Sequence, residues 1–215
     1  MSDKCPYEIL YEDESIIVVY KKRNVFTIRT TDKKTYAYNL YHYLKMYMWK
    51  KKEDLFIVHR LDYETSGILI FAKSYPMKEK LQKCFEERKV IRDYEAVIQE
   101  RIPLNQSFHV EQYLEERGFK VFQTDKEHGK QAITDISSIN YINIGTALKI
   151  NISTGRKNQI RMAIHSLGFT LLGDKRFANS EAKRMYLNAY RLVFPAELGL
   201  KQPEFKVDPL WIILN

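Results

Sequence analysis

Apolar and polar positions follow two different periods along this chain, and each period predicts a different kind of element. The stretch EDESIIVVYKK (12–22) places a β-branched run after an acidic turn, which predicts a strand. Short apolar runs and alternating segments predict further strands. These lie at LFIV (55–58), ILIFA (68–72), VIRDYEAVIQ (90–99), ALKINI (147–152) and MYLNAYRLVF (185–194).

Three other segments carry the helical period. In residues 36–50 the apolar side chains recur on one helix face, and the same holds for SYPMKEKLQKCFEERKV (74–90) and for TGRKNQIRMAIHSLG (154–168), which predicts a turn, a helix and a cap. Pro76 suits a first helical turn, and Gly168 suits the left-handed position that follows a helix. The predicted apolar faces are Leu40, Leu44 and Tyr47; Met77, Leu81, Cys84 and Phe85; and Ile160, Ala163, Ile164 and Leu167.

The order of these elements predicts the fold class. Residues 102–146 are expected to form a meander of short strands and loops, with turns at Gly118 and Gly129. Helices and strands are interspersed without a regular alternation, which predicts an α+β fold with a central, largely antiparallel mixed sheet and flanking helices. A chain of 215 residues is expected to form a single domain, 1–215, with room for two lobes.

Charge narrows the set of partners. The chain carries a net charge of +8 with 15 Tyr and 11 Phe, which favours a polyanion, and nucleic acid before membrane. A solvated lysine-rich face is the alternative. The start of the chain does not resemble a signal peptide, and no apolar run approaches the length of a membrane span. Cys5 and Cys84 are expected to be free thiols, and together these features predict a cytoplasmic protein. A monomer is expected by default.

The sequence lacks the motifs of nucleotide-binding loops, structural metal sites and serine hydrolases. The sequence has no phosphate-binding glycine loop, and its five histidines lack metal-ligand spacing, so neither cofactor nor metal is expected. Ser66 does not lie in a nucleophile elbow. The carboxylate of Asp62 remains, in a turn between LFIV and ILIFA, where it must be paired or hydrogen-bonded. The alternative to a catalytic role is a structural one, either an ion pair with Arg60 or a turn aspartate that caps nearby amides.

Two other regions bear on this carboxylate. Tyr94 shares one face of its strand with Arg92 and Ala96. Residues 147–176 are strongly basic, and Arg156 and Lys157 precede a helix start, where backbone amides also favour phosphate. Arg161 lies between apolar neighbours and is expected to reach inward to a carboxylate.

The segment HRLDYETSGILIFAK (59–73) closely resembles the signature of the RluA-type pseudouridine synthases. Five further segments resemble family segments and occur in family order, covering about residues 8–195. They are YEDESIIVVYK (11–21), RDYEAVIQE (92–100), GKQAITDI (129–136), GRKNQIRMAIHSLGFTLLGDKRF (155–177) and YLNAYRLVFP (186–195). The resemblance implies the family's catalytic domain, with a cleft across its sheet and without the small amino-terminal RNA-binding domain of many relatives.

The resemblance also implies an activity, the isomerisation of uridine to pseudouridine in ribosomal or transfer RNA without metal or cofactor. Asp62 would be the catalytic aspartate, Tyr94 the tyrosine that packs on the target base, and Arg161 the arginine that pairs with Asp62. Arg60 would fill the stack that the flipped base has left. Other substrate-binding positions would be His59, Thr65, Arg156, Lys157 and Gln159.

Some positions depart from the family pattern. Tyr20, Lys21 and Lys22 stand where Asn-Lys-Pro is usual, and Asn158 and Asn188 each replace a usual histidine. The alternative function is a non-catalytic RNA-binding or RNA-folding factor on the same fold, although such a protein has no need of a desolvated carboxylate. A glycoside hydrolase is disfavoured because no second carboxylate is evident.

Overall fold

The structure is a computed structural model that describes residues 5–30, 38–118, 120–178, 180 and 182–212. The chain divides into two compact units. The first consists of Met1–Val90 and Leu192–Val207, and the second of Ile91–Arg191 and Asp208–Asn215. None of the helices in the described ranges has the length and apolarity that crossing a membrane requires.

The helices are α1 (Leu40–Lys51), α2 (Tyr75–Glu86) and α3 (Gln159–Ser166). The strands are β1 (Tyr7–Glu12), β2 (Ile16–Lys21), β3 (Phe56–Ile57), β4 (Ser66–Ala72), β5 (Ile91–Ile98), β6 (Ser107–Arg117), β7 (Lys120–Thr124), β8 (Lys130–Ile142), β9 (Gly145–Ile152), β10 (Leu187–Val193) and β11 (Glu204–Lys206).

The first unit is built on antiparallel strands in the order β1-β2-β4, and β3 also pairs with β4. All seven residues of β4 are buried. A strand buried on both faces needs an apolar residue at every position, which is why ILIFA is continuous rather than alternating. The core of this unit combines residues of β2, β4 and α2 with the end of β10 and β11: Ile16, Val18, Ile68, Ile70, Ala72, Leu81, Cys84, Val90, Leu192, Phe194 and Phe205.

The two helices of the first unit begin at side-chain caps. Asn39 Oδ1 accepts a hydrogen bond from the His42 amide at 2.9 Å, and Ser74 Oγ accepts one from the Met77 amide at 3.3 Å. Such caps satisfy backbone donors that the first helical turn leaves without partners. Because both caps lie directly before an apolar period, they define where α1 and α2 start.

The second unit has the antiparallel order β5-β9-β8-β6-β7. The Leu187–Arg191 part of β10 continues this order beside β5. Helix α3 packs on β8 and β6. In β6 and β8, buried residues alternate with more exposed ones, as in a sheet with one covered face, whereas β5 is buried from Arg92 to Ile98.

The predicted α+β class and the largely antiparallel mixed sheet are confirmed. The predicted Gly168 position after α3 is confirmed by its φ of 78°. The prediction of short strands in 102–146 is wrong, because β6 has 11 residues and β8 has 13. Their regular alternation allows one long ribbon, with a turn at Gly118. The predicted helix over 36–50 begins at Leu40, and residues 36 and 37 lie outside the described ranges.

The conformation and close packing of Gly173 predict that a larger residue there destabilises the protein. Its φ is 76°, and a Cβ there would lie 1.6 Å from the Arg184 carbonyl oxygen. Gly173→Ala adds backbone strain to this clash and should cost about 3 kcal/mol or more in the free energy of unfolding, measured by chemical denaturation.

Gly118→Ala is the matched control, because Gly118 has a φ of 61° and open space around its Cβ position. It should cost only about 1 kcal/mol, from strain alone. Equal losses in the two variants would contradict the close packing at Gly173.

Candidate active site

Asp62 lies half-buried in the turn between β3 and β4, and its neighbours fix that turn. Thr27 Oγ1 donates to the Leu61 carbonyl at 2.8 Å and accepts from the Leu61 amide at 3.2 Å. The Thr65 amide closes the turn on the Asp62 carbonyl at 3.3 Å. The buried hydroxyl of Thr65 finds no hydrogen-bond partner within the described ranges. Asp62 is therefore held on backbone that is fixed at both ends.

Lys21 is the main site residue that sequence reasoning missed. Its side chain is fully buried, and its ammonium donates to the carbonyls of Val25 at 2.8 Å, Lys22 at 3.1 Å and Tyr63 at 3.3 Å. Burial lowers the pKa of Lys21 to about 7, while the carboxylates of Asp62 and Glu64 act in the opposite direction. Lys21 thus links the end of β2 to the residue after Asp62. The available signal was a lysine closing an otherwise buried strand.

His59 and Arg60 have different environments. His59 Nε2 accepts a hydrogen bond from the Ile70 amide at 3.2 Å, and its ring stacks on Phe85 with centroids 4.8 Å apart. His59 therefore anchors the turn to β4. Arg60 is exposed, as a residue that faces RNA must be. The RNA contacts of both residues stay predictions.

Tyr94 lies on β5 opposite Ile150 of β9 and is 8% exposed. Arg92 occupies the same strand face and is equally buried. Burial lowers the pKa of Arg92; Tyr94 opposes this shift, and the nearby charge of Arg156 adds to it. A Cβ at Gly155 would lie 2.7 Å from Arg92 Nη1, so the glycine makes room for this guanidinium. The second unit therefore places Arg92 beside the predicted base-packing tyrosine, and Arg156 near Arg92.

Arg161 reaches a buried carboxylate, as predicted. Its Nε and Nη2 donate to the two oxygens of Asp174 at 2.8 and 2.7 Å. Burial alone would raise the pKa of Asp174, but Arg161 and the backbone amides of Arg176 and Phe177 hold it below its ordinary value. The bidentate pair fixes the guanidinium plane. The predicted pairing of Arg161 with Asp62 joins residues of different units and stays a prediction.

The residues before and at the start of α3 are tied into the second unit. Gln159 Oε1 accepts from Thr154 Oγ1 at 2.8 Å and from the Arg156 amide at 3.0 Å, while its Nε2 donates to the Ile133 carbonyl at 2.8 Å. Lys157 forms an ion pair with Glu116 at 3.2 Å. Gln159 therefore shapes the loop that presents Arg156. The substrate contacts predicted for these residues are not decided by these bonds.

Asn158 replaces the usual family histidine at the residue before α3. Its φ is 55°, in the left-handed region that asparagine tolerates. Its Oδ1 accepts a hydrogen bond from Arg161 Nη1 at 3.3 Å. Its Nδ2 is buried, with no acceptor among the residues that the structure describes. The asparagine thus supports the same guanidinium as Asp174 does.

The residues predicted to be catalytic or substrate-binding are divided between the two units. Asp62 and Thr65 belong to the first, and Tyr94, Arg156 and Arg161 to the second. Within the described ranges, no group of three or more His, Cys, Asp or Glu side chains is arranged to hold a metal ion. What the residues offer is a carboxylate on a rigid turn in one unit and an aromatic ring beside arginines in the other.

The fold defines the class of protein. The structure is similar to that of Human RNA Pseudouridylate Synthase Domain Containing 1, with a TM-score of 0.70 at 22% identity over 88% of this chain and 78% of the other. Human RNA Pseudouridylate Synthase Domain Containing 4 matches with a TM-score of 0.70 at 20% identity, covering 93% and 87%. At these identities the likeness establishes the fold alone.

Sequence comparison establishes the family. Residues 15–166 match the profile of the family described as RNA pseudouridylate synthase, and the chain belongs to this family. It is 31% identical over 188 residues to ribosomal large subunit pseudouridine synthase C of Rickettsia typhi, covering 84% of this chain and 61% of that protein. It is 28% identical over 221 residues to ribosomal large subunit pseudouridine synthase D of Blochmanniella floridana, covering 96% and 68%. The chain thus spans about two thirds of the length of these relatives.

The buried contacts of Lys21 predict a loss of stability when this side chain is replaced. Lys21→Met removes the donor from three carbonyls and should lower the free energy of unfolding by about 2 kcal/mol. The adjacent Lys22→Met is the control, because Lys22 is partly exposed and its contact with Glu8 is 3.9 Å long, and it should change stability by less than about 0.5 kcal/mol.

The difference in the free energy of unfolding between the natural protein and Lys21→Met should depend on pH if Lys21 is buried. Because folding lowers the pKa of Lys21 from 10.5 to about 7, the unfolded chain binds more protons between these values. The stability of the natural protein relative to Lys21→Met should then rise from pH 7 towards pH 10.5, by at most about 1.4 kcal/mol per unit. A difference that shrinks with rising pH would show that Lys21 is not buried as described.

Proposed function

We propose that this protein converts uridine to pseudouridine in ribosomal RNA, in the cytoplasm. Family membership supports the reaction, and the names of the relatives support the substrate. The observation that carries the proposal for this chain is the rigid turn around Asp62, because positioning a carboxylate against a sugar carbon requires backbone that does not move.

The reaction requires access to a glycosidic bond that a stacked base hides. The target nucleotide must leave its stack, at a cost of a few kcal/mol. An exposed guanidinium can stack in the gap that remains, and Arg60 has the exposure for that role. The remaining steps take place on the flipped nucleotide, with no net gain or loss of atoms.

Asp62 is the group that acts on the sugar. It either attacks the anomeric carbon or removes a sugar proton, and in both routes the bond from that carbon to N1 of uracil breaks. The base turns and its carbon 5 bonds to the sugar. This step breaks the bond between Asp62 and the anomeric carbon in the first route, and in the second route the sugar regains the proton that Asp62 removed. The proton on carbon 5 then leaves as N1 gains one. Tyr94 forms an aromatic wall that keeps detached uracil in place.

The arginines divide into two roles. Arg161, fixed by Asp174 and Asn158, supplies a positive charge that favours the ionised form of a catalytic carboxylate. The charge of Arg156 lies close enough to lower the pKa of Arg92, and a phosphate between the two guanidinium groups would relieve that repulsion. We assign them to the backbone of the RNA.

A cellular experiment tests the reaction and the substrate. In cells that lack this protein, mapping of ribosomal RNA should reveal at least one missing pseudouridine, and the natural gene should restore it. Asp62→Asn should restore none, because the amide is neither a nucleophile nor a base. Asp54→Asn, which changes an exposed aspartate of the same unit, should restore it fully.

Two other results would contradict the proposed activity or substrate. Full restoration by Asp62→Asn would leave RNA binding, rather than catalysis, as the function. A missing pseudouridine in transfer RNA alone would contradict the proposed substrate.

The two roles of the arginines predict different kinetic defects. Arg156→Ala should reduce the salt slope of RNA affinity by about one and leave the single-turnover rate at saturating RNA unchanged. Arg161→Lys keeps the charge but loses the bidentate geometry, and should lower that rate by about 100-fold or more with little change in affinity. The same single-turnover series measures both variants. An affinity loss confined to Arg161→Lys would reverse the assignment.

A further inference from the structure

Helix α1 carries apolar side chains on the face that its own unit leaves uncovered. Leu40, Leu44 and Met48 point inward and are buried. On the outer side, Met46 is 49% exposed and Trp49 is 73% exposed, and Tyr38 just before the helix is 71% exposed. Burial in the unit explains the first set only, and an exposed tryptophan in this setting is typical of a binding surface.

The exposed side chains form one stripe. His42, Lys45, Met46 and Trp49 are exposed and follow the spacing of a single helix face. We call this stripe, together with Tyr38, the α1 face. Met46 and Trp49 are therefore neighbours on the helix surface.

The α1 face lies in a basic part of the surface. Its member Lys45 is exposed, as are Lys50 and Lys52 next to it, and the helix contains no acidic residue. Lys51 is already engaged by Glu12 at 2.7 Å. The acidic Glu53 just beyond the helix is bound by Lys73 at 2.8 Å. The exposed Lys45, Lys50 and Lys52 outnumber the one other exposed acid in this segment, Asp54, so the charge near Trp49 is positive, which favours a polyanionic partner.

The start of α1 is connected to the turn that carries Asp62 through Phe26 and Thr27. The amides of Leu40 and Tyr41 donate to the carbonyls of Phe26 at 2.8 Å and Thr27 at 3.0 Å. Thr27 bonds both the amide and the carbonyl of Leu61, and the Phe26 ring contacts that of Tyr63 at 4.5 Å. A helix of 12 residues then extends about 18 Å from this junction.

We propose that the α1 face binds unpaired RNA next to the target uridine, with a base stacked on Trp49 and phosphates on Lys45 and Lys50. Exposed aromatics between lysines are the arrangement that holds single strands, because every base offers a face for stacking and every linkage offers a charge. A second copy of the chain would instead bring lysines against lysines. This inference deepens the proposed function, since it names what the enzyme holds beside its target.

The test uses tryptophan fluorescence and an RNA that cannot be a substrate. The chain has two tryptophans, and Trp211 is partly covered by Tyr186 and Arg184. In a Trp211→Phe protein, a uridine-free oligoadenylate should quench Trp49 emission as a base stacks on it. In the otherwise natural chain, Trp49→Ala with Lys45→Ala should weaken oligoadenylate binding about 5- to 100-fold, measured by anisotropy of a labelled oligonucleotide.

Tyr75→Ala with Lys80→Ala is the matched control. It removes an exposed aromatic residue and an exposed lysine from α2 of the same unit, and it should change the affinity less than about twofold. Unchanged oligoadenylate affinity in the Trp49 variant, or no quenching, would overturn the proposal. So would a blue shift with vesicles of anionic phospholipid in place of quenching by RNA, or a dimer of the natural chain that the Trp49 variant loses.

Failure of the RNA-binding proposal for the α1 face can be distinguished from failure of the proposed pseudouridine synthase activity. Trp49-dependent binding of oligoadenylate by a chain that makes no pseudouridine would keep the α1 face and reject the activity. Normal pseudouridine formation together with oligoadenylate affinity that ignores Trp49 would do the reverse.

Discussion

The buried ammonium of Lys21 is the interaction on which the first unit's candidate site depends. A cation removed from water must be surrounded by oxygen atoms, and three backbone carbonyls supply them. One of these belongs to Tyr63, so the requirement to solvate Lys21 also sets the backbone beside Asp62. The same turn is bonded to Thr27, and through Thr27 to the start of α1. A single burial constraint thus connects the predicted catalytic carboxylate to the proposed RNA surface.

The second unit also contains a buried cation, and its partner is a carboxylate rather than backbone carbonyls. Arg161 is buried and satisfied by both oxygens of Asp174, and Asn158 adds a further acceptor. Two backbone amides help to keep Asp174 ionised, so the guanidinium has one defined orientation. In each unit a buried cation fixes the geometry of residues that the family resemblance assigns to the reaction.

Sequence reasoning succeeded where a local pattern had one physical explanation. The continuous apolar run of β4 and the period of α3 ending at Gly168 each had one, and both were predicted. The length of β6 and β8 was missed, since alternation alone does not say where a ribbon ends. Lys21 was seen only as part of a changed motif, because its burial depends on the distant carbonyl of Tyr63. Arg161 was expected to reach a carboxylate, but identifying that carboxylate as Asp174 required the fold.

The central claim is that Asp62 performs chemistry and does not merely complete an RNA-binding surface. The direct measurement is the number of pseudouridines formed per protein molecule in a single turnover, on ribosomal RNA from cells lacking this protein, with RNA occupancy matched between the natural chain and Asp62→Asn. The account predicts about one pseudouridine per bound target for the natural chain and none for the variant, at equal RNA affinity. Equal yields from the two proteins, or none from either at full occupancy, would contradict it.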